Sequence, residues 1–557
     1  MKKISKISLI GLTFAASVNL LAAQSFEDDM IFADDQIQLP DVTTVVSGDT
    51  LTAGKSSVPE LDFKLPDAGS TQIPLPQMPT AQTSEVQDTD DEIVAAGGSK
   101  EMYVEGLIGA GYPGFFRGDF TVYKNSGDSP FNTRFFHESE NGYSRNKAAN
   151  GFFDSTTLLS GEKQINLKYT TFNFGAEYST ASNGFQGLSD SFYDTTQQTL
   201  STKDSVSWNL PKGFGIALEA EGQWYNRYSG LIPGVAQLYT PQDAEGSVLF
   251  LTPEAKFNWE NDMLHFGIDI KYTYEDLISS VDSSARKTNV HRGLFKFDSL
   301  FRNDVVTVEG DVSALIGNQL NDHKILVPFN LGVTVQWPMA GNYGTVFAAG
   351  GMSSTLNRYS ELERKFRFAS LNELPGESSD WYGQLKTSLP VTSAIKLEAN
   401  VDFKTTAFGN GIWEPQYSSD STAWGLYSFL PKNRTELNSM VAVSFLYKVF
   451  TFTLDCYNYL IYVPADQSPC TLKLAVGVQD PKGIFGGGIT CAESLGQNVD
   501  FIPNVGATFF YRVNDSFKFS IEVNDFVKLC TGGTRSYNGS KYISRAENIS
   551  FFAKFFF

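Results

Sequence analysis

Leu264-His-Phe-Gly-Ile-Asp-Ile-Lys-Tyr-Thr-Tyr-Glu275 alternates without a break between large apolar and polar or small residues. Successive side chains of an extended chain point to opposite faces, so this stretch has one apolar face and one polar face. The same period of two returns in Ile395-Lys-Leu-Glu-Ala-Asn-Val-Asp-Phe-Lys404 and in Phe517-Lys-Phe-Ser-Ile-Glu-Val-Asn524. A soluble sandwich shows this alternation too, so the period alone does not choose the fold.

Three features around these stretches predict a membrane barrel. Many segments reach about ten residues, the length a tilted strand needs to cross hydrocarbon. Trp224-Tyr225, Trp259, Tyr272, Tyr274 and Trp337 lie near segment ends, where an interfacial aromatic girdle belongs. Connections also alternate in length. Short turns fall at Asn125–Asp128, Thr170-Thr171, Pro211–Gly213, Glu260–Asp262, Phe301–Asp304, Pro338–Asn342, Pro390–Ser393, Lys448–Val449, Asp480–Gly483 and Val513–Asp515. Longer loops lie between them at 140–157, 181–193, 227–245, 276–288, 317–323, 353–379, 407–433, 461–469, 491–499 and 529–546. With the tight Gly111–Gly114 connection, this spacing predicts one large antiparallel transmembrane β-barrel over residues 100–557, of about 22 strands within a range of about 18 to 24. Short turns then face the periplasm and long loops face outside.

Composition and the N-terminus agree. The chain holds 45 Phe, 24 Tyr and 48 Gly against 8 Met. Lys2, Lys3 and Lys6, the short apolar run Ile7 to Leu21, and Ala22-Ala23 read as a secretory signal peptide over 1–23. Residues 24–99 carry a net −13 and six prolines, and read as a disordered acidic periplasmic leader. The barrel region carries −9, without the clustered Lys and Arg that phosphate binding needs, so nucleic acid is not an expected partner. The expected site is the outer membrane of a diderm bacterium, with lipid and the barrel-assembly machinery as partners. Ile549, Phe551, Ala553, Phe555 and Phe557 share one face of a last strand that ends on an aromatic. Phe551, Phe555 and Phe557 resemble the terminal assembly signal of outer-membrane barrels.

The leader contains a β-prone island, Leu39-Pro-Asp-Val-Thr-Thr-Val-Val-Ser-Gly48. Its Asp41, Val42, Thr43, Thr44, Val45 and Val46 resemble the coupling box of TonB-dependent transporters, and about 22 strands is the size of their barrels. The stretches Gly106–Gly118 and Asp128–Tyr143 are also similar to that family's opening hairpins. The resemblance implies a periplasmic energy-coupling partner that pairs with the box by strand addition. Members carry a plug of well over a hundred residues between box and barrel. Here about fifty Pro- and Asp-rich residues separate Gly48 from the first strand. The reading is therefore a plug-less relative, and the family's substrate classes do not carry over.

Chemistry-bearing motifs are sparse. His137, His265, His291 and His323 lack metal-ligand spacing, and neither a nucleophile elbow nor a phosphate loop occurs, so no enzyme and no cofactor are expected. Asp269, Lys271, Glu309, Asp311, Lys396, Glu398, Asp402, Lys404 and Glu522 fall opposite the apolar faces and are expected in the lumen, either solvating the wall or setting solute preference. Cys456, Cys470, Cys491 and Cys530 fall near the outward ends of the last strands, and the topology predicts Cys456–Cys470 and Cys491–Cys530 disulfides.

Two functions follow. The first is a transport barrel for uptake or diffusion of nutrients and small solutes, coupled through the leader to an energy-transducing partner. The second is an adhesin whose blocked barrel displays loops, the loop 407–433 being rich in aromatics at Trp413, Tyr417, Trp424 and Tyr427. A barrel this wide without a plug leaks small solutes. Occlusion is therefore expected from inward-folded loops, from the leader, or from a separate plug protein.

Overall fold

The computed structural model describes residues 102–557 apart from 126, 144, 233–244, 281–287, 321–324, 410, 418–424, 497–501 and 545–547. The expected signal peptide, leader and coupling box at Asp41–Val46, with His323 and Trp424, lie outside the described residues. Twenty-two long strands form one closed antiparallel barrel, and a two-residue rung at Ile325–Leu326 joins the same sheet. Each long strand pairs with its neighbour in the chain. The last, Asn548–Phe556, pairs with the first, Tyr103–Tyr112, from Glu105↔Phe556 to Tyr112↔Ile549. Closure matters because an open edge has unpaired amide groups that hydrocarbon cannot satisfy.

The turn chemistry explains one end. Lys212 and Gly213 both take positive φ in the turn after Asn209, and a Cβ at Gly213 would sit 1.9 Å from the Glu260 carbonyl oxygen. Only glycine combines that backbone with that approach. The turn expected at Thr170-Thr171 instead spans 167–169, because Thr170 already pairs with Trp208.

The other end is uneven. Strands Thr170–Gly184, Phe192–Asn209, Phe214–Leu231, Gly246–Glu260 and Leu264–Ser279 run 15 to 18 residues. About ten suffice to cross hydrocarbon, so these five rise past it as a tall wall. They extend into the loops expected at 181–193 and 227–245, which shortens both.

Exposure separates the faces. Ile268, Ile270 and Tyr272 are 36%, 48% and 45% exposed, whereas Asp269 and Lys271 between them are half-buried and Thr273 and Glu275, further along the same inward face, are buried. Leu385, Val401, Phe519 and Phe551 belong to the same outward apolar band. On a soluble protein such a patch would mark an interface; around a closed barrel it is the lipid-facing belt. The apolar core lies elsewhere, at the long-loop end. There Phe185, Tyr225, Tyr359, Phe368, Leu371, Trp413, Tyr427 and Tyr542 form one buried cluster. Tyr225 therefore departs from the expected girdle: Trp224 faces out at 37% exposure, and alternation turns Tyr225 fully inward.

The four cysteines for which two disulfides are expected are free thiols in this structure. In register Cys456 opposes Leu472 and Cys470 opposes Asn458. The two are thus diagonal neighbours across this strand pair, and their thiols are close enough to hydrogen-bond. Cys491 opposes Leu474 and Val505 within the sheet, whereas Cys530 sits in a short helix, Phe526–Thr531.

Candidate functional site

The long loops that extend beyond the wall fold back over the lumen. Between strands Asn342–Asn357 and Gly376–Pro390, the chain forms a short helix, α1 (Tyr359–Lys365), then a two-residue strand, Ala369–Ser370. That strand pairs in parallel with Tyr427–Ser428, whose strand Tyr427–Lys432 pairs with Ile412–Pro415. The loops expected at 353–379 and 407–433 are thus partly ordered as one small sheet rather than free displays.

Charge and hydrogen bonding fix α1 to the lumen wall. Glu363 is fully buried, and Arg227 Nη1 donates to its Oε1 at 2.9 Å. Tyr225 Oη donates to Glu363 Oε2 at 2.8 Å, and the Leu371 amide donates to Oε1 at 2.8 Å. The Gln197 side chain donates to the Glu363 carbonyl at 3.0 Å. Ser360 Oγ donates to Gln223 at 2.6 Å, and the Tyr359 amide donates to Glu275 Oε1 at 3.1 Å. Burial pushes the Glu363 carboxyl above its ordinary range, while the Arg227 charge and its hydrogen-bond donors pull the other way.

Further anchors flank the helix. Arg358 bonds Glu221 and Gln223 on the wall. Arg367 donates to Asp154, and to Asn183 Oδ1 at 2.9 Å. Lys365 pairs with Asp466 at 3.1 Å. Phe368 stacks on Tyr542 at 3.9 Å between centroids, and Trp413 Nε1 donates to the Pro375 carbonyl at 2.9 Å. Gln186 and Ile543 exchange two hydrogen bonds, at 2.8 and 2.9 Å. One capping segment, 358–375, therefore touches six consecutive wall strands and is tied from behind by other long loops. Of the expected means of occlusion, inward-folded loops are present.

Below the cap the wall is polar. Asp269 and Lys271 share the inward parity of Glu275, and Lys271 lies 3.2 Å from Glu254. Asp311 lies 4.0 Å from Lys296, with Glu309 on the same face. Lys396 pairs with Glu398 at 2.8 Å, Asp402 accepts from Asn400 at 2.7 Å, and Lys404 opposes Glu436 in register. Glu522 opposes Ser550 on the closing strand. The histidines stay apart: His137 contacts Thr157, His265 contacts Asp298, and His291 contacts Tyr272. No group of three or more potential metal ligands occurs among the described residues.

Sequence reasoning missed Glu363, Arg227, Arg358 and Arg367. Their partners across the cap–wall contact stand more than a hundred residues away in each case, for example 136 between Arg227 and Glu363. A charged helix of about two turns, set in a long loop, was the available local signal.

No family model matches the chain, and no curated protein matches it. Solved structures do. The siderophore receptor PirA from Acinetobacter baumannii aligns with a TM-score of 0.62 at 8% identity, over 83% of this chain and 81% of that one. The FrpB iron transporter from Neisseria meningitidis, F3-3 variant, aligns at 0.61 and 8% identity over 83% and 82%. A mutant ferric enterobactin receptor from Pseudomonas aeruginosa aligns at 0.60 and 9% over 83% and 81%. At such identity the likeness is one of fold: this chain has the barrel of outer-membrane receptors and transporters.

Proposed function

We propose that the protein is an outer-membrane transport barrel for small solutes, closed at its long-loop end by the segment 358–375 and opened when that segment leaves the wall. The carrying observation is the buried Arg227–Glu363 pair at 2.9 Å, which ties a loop to the lumen face of a strand 136 residues away. The names of its structural neighbours, siderophore receptor and iron transporter, support uptake as the direction of transport. The leader, with Asp41–Val46, supplies the contact to an energy-coupling partner in this reading. The adhesin reading is weaker because the two longest loops pack into the cap.

The test exploits the register. Asn357 and Gly376 are directly paired, so a two-residue turn can replace 358–375 without disturbing the ladder. In planar bilayers the shortened protein should conduct strongly and the parent weakly. Equal conductance of the two, with both barrels assembled, would sink the proposal.

A further inference from the structure

Arg358, at the start of the cap, fills a recess in the lumen wall shaped for a flat cation. Its Nη1 donates to Glu221 Oε1 at 3.0 Å, and its Nη2 donates to Gln223 Oε1 at 2.9 Å. The guanidinium carbon stands 3.6 Å from the centroid of the Phe250 ring, within cation–π range. Glu361 of the same turn approaches at 3.2 Å. The recess is lined by three adjacent strands, Phe214–Leu231, Gly246–Glu260 and Leu264–Ser279. The last contributes Glu275, which is 1% exposed; its Oε1 accepts from Tyr359, and its Oε2 is buried without a hydrogen-bond partner. A buried carboxyl oxygen without a donor leaves this side of the recess able to accept from a bound cation.

Arg367 repeats the arrangement. It donates to Asp154 and Asn183, and its guanidinium stands 5.1 Å from the Tyr537 ring. Two loop arginines thus fill two carboxylate recesses, each beside an aromatic ring. Below the first recess the wall continues with Glu219, Glu254 and Asp269, interleaved with Lys256 and Lys271.

We propose that the Glu221–Gln223–Phe250–Glu275 recess recognises a guanidinium-bearing solute, for which Arg358 is the built-in stand-in. Such a solute competes with Arg358 for the same donor-acceptor fork and face, and its binding releases the first turn of the cap. A planar guanidinium suits the paired acceptors and the ring better than a compact ammonium does. This site rests on the capped-transporter reading, but it is tested by equilibrium binding rather than by permeation.

The probe is methylguanidinium, with methylurea as the neutral analogue and sodium chloride at equal ionic strength, applied to the full chain in detergent. Because a tethered competitor acts at roughly millimolar effective concentration, Arg358→Ala should bind methylguanidinium at least about tenfold more tightly than the parent. Adding Glu221→Gln should abolish the gain. If Arg358→Ala fails to give a heat-modifiable barrel, the parent serves: methylguanidinium should expose 358–375 to protease, and methylurea should not. Equal responses to methylguanidinium and methylurea, or a response that survives Glu221→Gln, would overturn the site. Conductance after loop removal with no such binding would leave the transport reading standing and this one lost.

Discussion

At Glu363 a carboxylate has been taken wholly out of water and compensated by one guanidinium, one phenol and one amide. Removing one member of such a pair costs about 3–5 kcal/mol, because the other charge stays buried and alone. Arg227→Ala should therefore free the cap while leaving the barrel assembled, seen as rapid protease cleavage within 358–375. Arg227→Met with Glu363→Leu together should restore much of the protection, since a well-packed apolar pair is often as stable. The pH dependence follows from the direction of the Glu363 shift. Burial raises its folded-state value, so the folded cap holds a proton more tightly than the released loop. That contribution is fully present below the ordinary carboxyl range and is lost as pH rises through the raised value. Protease resistance of the cap should accordingly fall as pH rises above the ordinary carboxyl range, and Glu363→Gln should flatten the trend.

Among the elements, the seam between first and last strands is the most constrained. A Cβ on Gly109 would lie 2.1 Å from the Phe552 ring, and one on Gly106 would lie 2.1 Å from the Phe555 ring. Both glycines clear space for aromatic side chains of the closing strand. Gly109→Leu should impair closure, and Gly109→Leu with Phe552→Ala should recover it, scored by heat-modifiable mobility on denaturing gels. Phe557 completes the seam: its amide donates to the Val104 carbonyl, and the Val104 amide donates back, both at 2.9 Å. Its ring meets Phe517 edge-on at 5.7 Å. Phe557→Ser keeps the backbone pair but removes the ring, so a drop in assembled barrel would assign the effect to the side chain; unchanged yield would count against its reading as an assembly signal.

For the whole molecule, the apolar belt faces lipid and the buried apolar core belongs to the cap. Barrel and cap therefore draw on different forces: ladder hydrogen bonds and lipid contact for the wall, desolvation of aromatics and paired charges for the lid. The lid should loosen well before the barrel does. On heating in detergent, cleavage within 358–375 should precede the loss of β signal in circular dichroism. A single coincident transition would show that cap and barrel unfold as one unit.

The sequence by itself determined the strands, their turns and their closure. Alternation depends only on neighbouring residues, as in Leu264–Glu275, and the turns carry their own glycine and proline chemistry at positions such as Pro211–Gly213. Strand ends were less legible: the tall wall from Thr170 to Ser279 runs on because its upper inward face is covered by loops distant in sequence. Cysteine spacing placed Cys456 and Cys470 on adjacent strands, but only the register set them diagonally apart. What the tertiary structure alone decided is the cap. Glu363 reads locally as an ordinary charge on an exposed helix, and becomes a buried anchor only because closing the barrel brings Arg227 and Tyr225 beneath it.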